Sequence, residues 1–397
     1  MNPIGGGPSQ GIRNQAQGMV DMDITREVVS FDSPDSDFIK KESFKIHALG
    51  GALGPWRYNA KLIPWLKQNI QRFDVIIVHG LWLYHNYAVW KVIKQLKKDQ
   101  LSGKNIKKNT PPVLLMPHGM LDPYFQRAKE RRVKAIRNWI FWKLIDSKIV
   151  NDVDGLLFTC QTELVLARTT FKDYRPKAEY NVGYGIVVPP VEREEMKAAF
   201  AARCPNLKNE PYLLFLSRIH QKKGIDLLIK VYQQLLEDKT VIYKLPKLVI
   251  AGPGIDTTYG KMLVKLVDGS NELKNLVYFT SMLTGEAKWG AFYGCEAFVL
   301  PSHQENFGIA VAEALACGKP VLLSDQVNIW REVDAESGGI ISTDTFDGVF
   351  QLLNSWLELK PQERILMGQN AEKTFNKYFT VDKMSQNIYS VLLKVSS

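Results

Sequence analysis

Two carboxylates eight residues apart, Glu305 and Glu313, lie in the string Pro301-Ser302-His303-Gln304-Glu305-Asn306-Phe307-Gly308-Ile309-Ala310-Val311-Ala312-Glu313-Ala314. An apolar, strand-like run ends at Pro301, a polar turn follows, and a helical run opens near Gly308. That arrangement aims helix N–H groups and the positive end of the helix dipole at whatever sits above the strand, and a diphosphate suits the position. Glycine at 308 lets a backbone come close to a ligand. Glu305 stands in the turn, while Glu313 stands among Ala310, Val311, Ala312, Leu315 and Ala316. A carboxylate can accept two hydroxyl hydrogen bonds, so the diols of a ribose or hexose are natural partners. Either glutamate alone could be a surface or capping residue; the whole string is harder to produce by chance. A second strand–turn–helix string runs Leu216-Ser217-Arg218-Ile219-His220-Gln221-Lys222-Lys223-Gly224-Ile225-Asp226. Arg218 and Lys223 can converge on one anionic group across its turn, the guanidinium as a fork and the ammonium as a point charge.

Arg218 and Lys223-Gly224, followed by Glu305 and Glu313 with seven residues between them, resemble the signature of glycosyltransferase family 4, the glycosyl transferases group 1. Members are retaining, metal-independent enzymes of the GT-B fold, in which two Rossmann-like domains face each other across a cleft. The resemblance runs from Gly5-Gly6-Gly7 to Gly338-Gly339 and is most specific between Tyr212 and Asp325. It implies that the C-terminal domain holds a nucleotide-sugar donor. Glu305 would contact the transferred sugar and Glu313 the nucleotide ribose. Arg218 and Lys223 would hold the diphosphate, and the amides of Asn306, Phe307, Gly308 and Ile309 would bind sugar hydroxyls and phosphate. In the N-terminal domain, Met116-Pro117-His118-Gly119 puts a histidine at the carboxyl end of an apolar strand, where ligands of open α/β sheets collect. Family members carry a histidine there that contacts the donor sugar near the reacting carbon. His118 thus joins Glu305, Arg218 and Lys223 as a predicted catalytic residue. His79-Gly80 ends another strand in the same way and is read as acceptor-side lining. Gly6 and Gly7 would meet the donor phosphates.

The elements that must position these groups are short β-rich runs separated by helical patterns. In the first half the strands are predicted at Glu27–Phe31, Phe44–Leu49, Asp74–His79, Val113–Pro117 and Gly155–Thr159. Helices are predicted over Arg57–Gln71, Tyr87–Leu96 and Val133–Ile149. The second half repeats the scheme from Tyr212–Ser217 to Gly339–Ile341. Continuous apolar strands alternating with helices mark parallel sheets covered on both faces, and two such series mean two doubly wound domains. The expected limits are 1–190 and 205–378, with a C-terminal helix at about 380–397 packing back on the first domain. Asn2 to Ser9 reads as the glycine-rich turn that follows a first strand. The chain begins almost at that turn, so a strand is expected to be missing before it.

Composition narrows the partners. The 397 residues are 45% hydrophobic, which excludes general disorder. No apolar run of about 18 residues suggests a transmembrane helix, and no basic start followed by an apolar stretch suggests a signal peptide. Cys160, Cys204, Cys295 and Cys317 are far apart, which argues for a reducing cytosol and against a zinc site. Asp35-Ser36-Asp37 matches a DxD metal pattern but lies in a polar stretch, so no metal and no cofactor are expected. The net charge of +10 is confined to one half. Residues 51–150 hold 19 basic and 5 acidic side chains, or +14, whereas residues 201–397 hold 21 of each. A charge so placed suggests an anionic partner for one domain and not nucleic acid. The block Arg127 to Arg137, leading into Trp139-Ile140-Phe141-Trp142, suggests peripheral contact with an anionic membrane or a lipid-pyrophosphate acceptor.

The reading is a cytoplasmic enzyme, at the cytoplasmic face of the membrane. It moves a sugar from a UDP- or GDP-sugar, in preference to an ADP-sugar, to a saccharide or lipid-linked acceptor. From the family, cell-surface or exopolysaccharide assembly is expected. Alternatives are a GT-B epimerase or hydrolase and a non-catalytic nucleotide-sugar-binding paralogue. A dinucleotide oxidoreductase fits poorly, since no strand–GxGxxG–helix unit appears.

Overall fold

The computed structural model describes residues 1–2, 7–102, 110–128, 131–237 and 244–396. The chain divides into two compact units, Met1–Gly185 with Val381–Ser397, and Ile186–Thr380. The first thus closes at Gly185 and not at 190, and the boundary stretch belongs to the second. There, helix Glu194–Arg203 lies against helix Gly285–Gly294.

In the first unit, β1 (Glu27–Ser30) and β2 (Lys45–Ala48) pair in parallel as a separate two-stranded sheet. The main sheet is β3 (Ile76–His79), β4 (Val113–Met116), β5 (Gly155–Phe158) and β6 (Glu179–Asn181), in that order and all parallel. β4 and β5 are buried along their whole length, which is why they read as unbroken apolar runs. β6, with the sequence Glu-Tyr-Asn, is a three-residue edge strand carrying no apolar run, and the sequence pattern missed it. The first described element is helix Gly7–Gly18; Gly5 and Gly6 lie outside the described residues.

Two predicted helices are shorter or less regular than their spacing suggested. Arg57 has φ +57° in a turn closed by mutual Leu53–Tyr58 pairing, so the helix expected from Arg57 starts at Leu62. The helix over Val133–Ile149 contains a π turn, Trp142–Asp146, between α-helical Arg132–Phe141 and Ser147–Asp152. That register shift turns Trp142 fully inward, where its ring stacks on Phe171 at 4.3 Å.

The second unit has one six-stranded parallel sheet. Its strands are β7 (Tyr212–Leu216), β8 (Lys247–Ala251), β9 (Val277–Thr280), β10 (Ala297–Leu300), β11 (Val321–Ser324) and β12 (Gly339–Ser342). Their order is 12-11-10-7-8-9. The order reverses between β7 and β10, which makes the carboxyl ends of those neighbours the switch point where ligands of such sheets bind.

The last helix, Val381–Ser396, returns to the first unit. Met384, Ile388 and Val391 join Met19, Leu114, Met116, Leu157 and Val182 in one buried cluster. Ile388 is fully buried. Ile388→Ala should destabilise the protein by about 2–5 kcal/mol, the range for an aliphatic side chain cut back to alanine in a core. A lower denaturant midpoint with an unchanged slope checks this; an unchanged midpoint would show that the helix does not contribute.

Candidate functional site

In the second unit the turns after β7 and β10 are locked together. The Lys222 carbonyl accepts from the His303 N–H at 2.8 Å and from Ser302 Oγ at 3.0 Å. Gly224 has φ +66°, and a Cβ there would stand 2.1 Å from the Pro301 carbonyl oxygen, so only glycine lets the turns approach so closely. The approach brings the Lys223 ammonium onto Glu305 Oε2 in an ion pair. Lys223 is buried, while 22% of the Glu305 side chain is exposed. Burial works against charge on Glu305, but Lys223, Lys222 and the Asn306 N–H outweigh it, so its carboxyl titrates below the usual range. The main chain of Glu305 is fixed as well, by bonds with Gln326 and Asn328 at 3.0 and 2.9 Å.

Helix Ile309–Ala316 opens beyond this pair. Gly308, at φ +80°, is its N-cap, and no side chain caps the helix start. A Cβ at 308 would press on Val311 and on Glu305 Cγ at 3.0 and 3.3 Å. The Asn306 N–H donates to Glu305 Oε1 at 3.1 Å. The Phe307 side chain is buried edge-on against Phe379, so any ligand contact of Phe307 comes from its backbone. Arg218 is exposed on the turn after β7 and forms no ion pair among the described residues. Sequence spacing placed Arg218 and Lys223 together as cations; the structure adds that Lys223 is already matched by Glu305 and Arg218 is not.

Glu313 lies in the helix and is held by Lys288 Nζ at 2.8 Å. Burial pushes the Glu313 carboxyl up, and Lys288 opposes the shift without cancelling it. Lys288 also sits over the Trp289 ring at 3.9 Å. It comes from helix Gly285–Gly294, and nothing in its local sequence marks it as a partner of residue 313.

A separate polar cluster lies in the first unit, at the carboxyl ends of β3 and β4. His79 Nδ1 and His118 Nε2 share a proton in a 2.9 Å hydrogen bond between stacked rings. His85 Nε2 donates to the His79 carbonyl at 2.9 Å. Burial pulls His118 down to about 4 and depresses His79 well below its ordinary value, with help from His118, Arg26 and His85. His85 is lowered too, mainly by burial. All three imidazoles are therefore neutral at neutral pH. His118 has φ +52°, a conformation costly for a residue with a Cβ. A residue that sequence reasoning missed holds it there. Buried Glu163 accepts the Gly119 N–H at 2.5 Å through one oxygen, and the Thr159 N–H and hydroxyl at 2.8 and 2.5 Å through the other. Of the predicted glycines, Gly7 offers its carbonyl to Tyr184 Oη at 2.8 Å, and Gly6 is outside the described residues. Asp35 and Asp37 are exposed on a polar turn, and no group of three or more potential metal ligands occurs among the described residues.

Comparison with known proteins bears on both units. Residues 198–374 match the family model of glycosyl transferases group 1. An uncharacterized glycosyltransferase of Methanocaldococcus jannaschii is 27% identical over 47% of this chain and 46% of its own length. The alpha-monoglucosyldiacylglycerol synthase of Streptococcus pneumoniae is 29% identical over 44% of this chain and 38% of its own. The chain thus spans less than half the length of these curated relatives. Similarity of fold extends further. Sucrose-phosphate synthase of Thermosynechococcus elongatus superposes with a TM-score of 0.71 over 98% of this chain and 94% of that one, at 18% identity. HepE of Anabaena, in complex with UDP and glucose, gives 0.71 over 98% and 96%, at 16% identity. Residues 198–374 thus resemble the glycosyl transferases group 1, and the two Rossmann-like units have the GT-B fold.

Proposed function

We propose that this protein transfers a sugar from a UDP- or GDP-sugar to a hydroxyl of a saccharide or lipid-linked acceptor, with retention and without a metal ion, in the assembly of a cell-surface or extracellular polysaccharide. The observation that carries the reading is the joint held by Gly224. It gathers Lys223, Glu305, exposed Arg218 and an uncapped helix start at the switch point of one parallel sheet. Similar folds solved with UDP and glucose, or with UDP-glucose, support the donor class.

In this reaction the bond from the anomeric carbon to the diphosphate breaks and a bond to the acceptor oxygen forms. The departing diphosphate gathers negative charge. Arg218, Lys223 and the N–H groups opening helix Ile309–Ala316 stabilise that charge, a preorganised arrangement that needs no reorganisation at the moment of reaction. Glu305 stays ionised beside the sugar as it becomes oxocarbenium-like. No second carboxylate is assigned as a nucleophile, so the acceptor attacks from the face the diphosphate leaves. A departing phosphate oxygen takes the acceptor proton. Glu313 is the reading's ribose contact, and neutral His118 its contribution from the first unit.

Arg218 is the cleanest probe, because it has no ion pair to lose among the described residues. Arg218→Ala should cut turnover at least ~100-fold, the scale of one lost oxyanion-type contact, with no fall in melting temperature. Glu305→Ala and Lys223→Ala should lose as much turnover and also stability, since the first leaves buried Lys223 uncompensated and the second leaves half-buried Glu305 without its counter-charge. Near-normal turnover in Arg218→Ala and Glu305→Ala would sink the assignment. A melting-temperature screen against nucleotide sugars checks the donor. UDP- or GDP-sugars should raise the midpoint by mass action more than ADP-sugars do.

The half-buried histidines set a pH dependence. The folded state holds His118 neutral down to about 4, whereas the unfolded chain takes up a proton near the ordinary value of 6.5. Stability is therefore full above that ordinary value and declines as pH falls toward 4, by up to about 1.4 kcal/mol per pH unit for each such histidine. Melting between pH 7 and pH 5 should show this decline, and His118→Gln should make it shallower. An identical slope in the variant would overturn the account.

A further inference from the structure

The stretch Arg132–Phe141, Trp142–Asp146 and Ser147–Asp152 forms one continuous helical rod on the first unit. Its inward residues are Ala135, Asn138, Trp142 and Ile149, all buried. At about 100° per residue, the opposite pole of the rod carries Val133, Ile136, Ile140 and Leu144. They are exposed by 83, 62, 44 and 63%. A surface helix of a globular protein normally turns polar side chains to that pole. Here exposed Arg132, Lys134, Arg137 and Lys143 flank an apolar stripe instead, with Lys143 also paired to Asp173. Single exposed apolar residues are common, but four in one row mark an interaction surface.

The surface continues onto neighbouring elements. Phe141 meets Trp56 at 6.3 Å, and Trp56 meets Tyr87 at 5.7 Å. Lys91 and Lys94, both exposed, lie over the Tyr87 and Trp90 rings at 5.7 and 4.7 Å. Leu53, in the turn that carries Trp56, is also exposed. Charge selects the occupant. A second copy would bring two strongly basic rims together, since residues 51–150 sum to +14. An anionic bilayer offers hydrocarbon to the stripe and phosphates to its flanks.

We propose that this rod lies in the headgroup layer of a membrane containing anionic phospholipid, with Val133, Ile136, Ile140 and Leu144 inserted and the flanking lysines and arginines on lipid phosphates. An apolar stripe between basic flanks is the pattern of a helix lying in the interface plane. Among the described residues no helix is long and apolar enough to cross a membrane. The inference does not depend on sugar transfer and can fail or succeed without it.

Co-sedimentation of the full chain with vesicles tests it. Vesicles of phosphatidylcholine with about a third phosphatidylglycerol should bind the protein, whereas pure phosphatidylcholine should bind at least about tenfold less, given roughly fivefold per basic residue at an anionic surface. About 0.5 M salt should release most of it. Ile136→Glu with Ile140→Glu, and separately Lys134→Glu with Arg137→Glu, should each lower partitioning at least about tenfold while circular dichroism and melting stay unchanged. Equal binding to both vesicle types would overturn the proposal. So would wild-type binding by both variants, or self-association that the Ile136/Ile140 variant abolishes in a chain that ignores vesicles.

Discussion

A lysine buried against a glutamate is the constraint from which the geometry of the second unit follows. Removing an ammonium from water costs several kcal/mol, and only a well-placed counter-charge offsets it. Lys223 finds that counter-charge on Glu305, 82 positions away in sequence. The two can meet only if the turns after β7 and β10 are neighbours, which the sheet order allows, and nearly touch, which Gly224 allows. The Lys222 carbonyl, bonded to both Ser302 and His303, then stops the turns from drifting apart. Chemistry and architecture are thus one requirement, since the pair that would face a sugar diphosphate also holds the loops in place.

The first unit uses a similar construction to a different end. Glu163 binds the turn after β4 to the turn after β5, just as Glu305 binds the turn after β10 to the turn after β7. In both cases a carboxylate links the carboxyl ends of adjacent parallel strands. The difference is access. Glu163 is only 2% exposed and spends both oxygens on three donors, so its work is to hold Gly119 and, through it, the strained backbone of His118. Glu305 keeps an open edge. A carboxylate saturated by the protein is a fastener, whereas one with an open edge and an ammonium behind it can meet a ligand.

Much of this was legible from local order. Arg218, Lys223, Glu305 and His118 follow apolar runs that became buried strands, and His79 ends the half-buried β3, so periodicity alone put these five at carboxyl ends. What stayed hidden was pairing between distant elements. Lys288 on Glu313, Glu163 on Gly119 and His85 on His79 each depend on which strands or helices become neighbours, and no spacing encodes that. Short elements with mixed composition were also hidden. β6 has only Tyr180 as an apolar residue, and the turn at Arg57 breaks a helical pattern by backbone conformation alone. The π turn at Trp142 shows the reverse case, where a correct apolar period concealed an added residue in the helix.

The charge distribution separates two kinds of electrostatics. Residues 201–397 carry no net charge, so at physiological salt this half offers little long-range field to attract an anionic donor. A diphosphate bound as proposed would be held locally, by Arg218, Lys223 and a helix end, and such a local hold would favour a ligand that fits the turns. The first unit is the opposite case. Its excess of basic side chains lies partly on an exposed helical rod and on Lys91 and Lys94. Such a field acts on encounter and on orientation at an anionic surface. The histidines at the carboxyl ends of β3 and β4 are instead kept uncharged by burial, so they add nothing to that field.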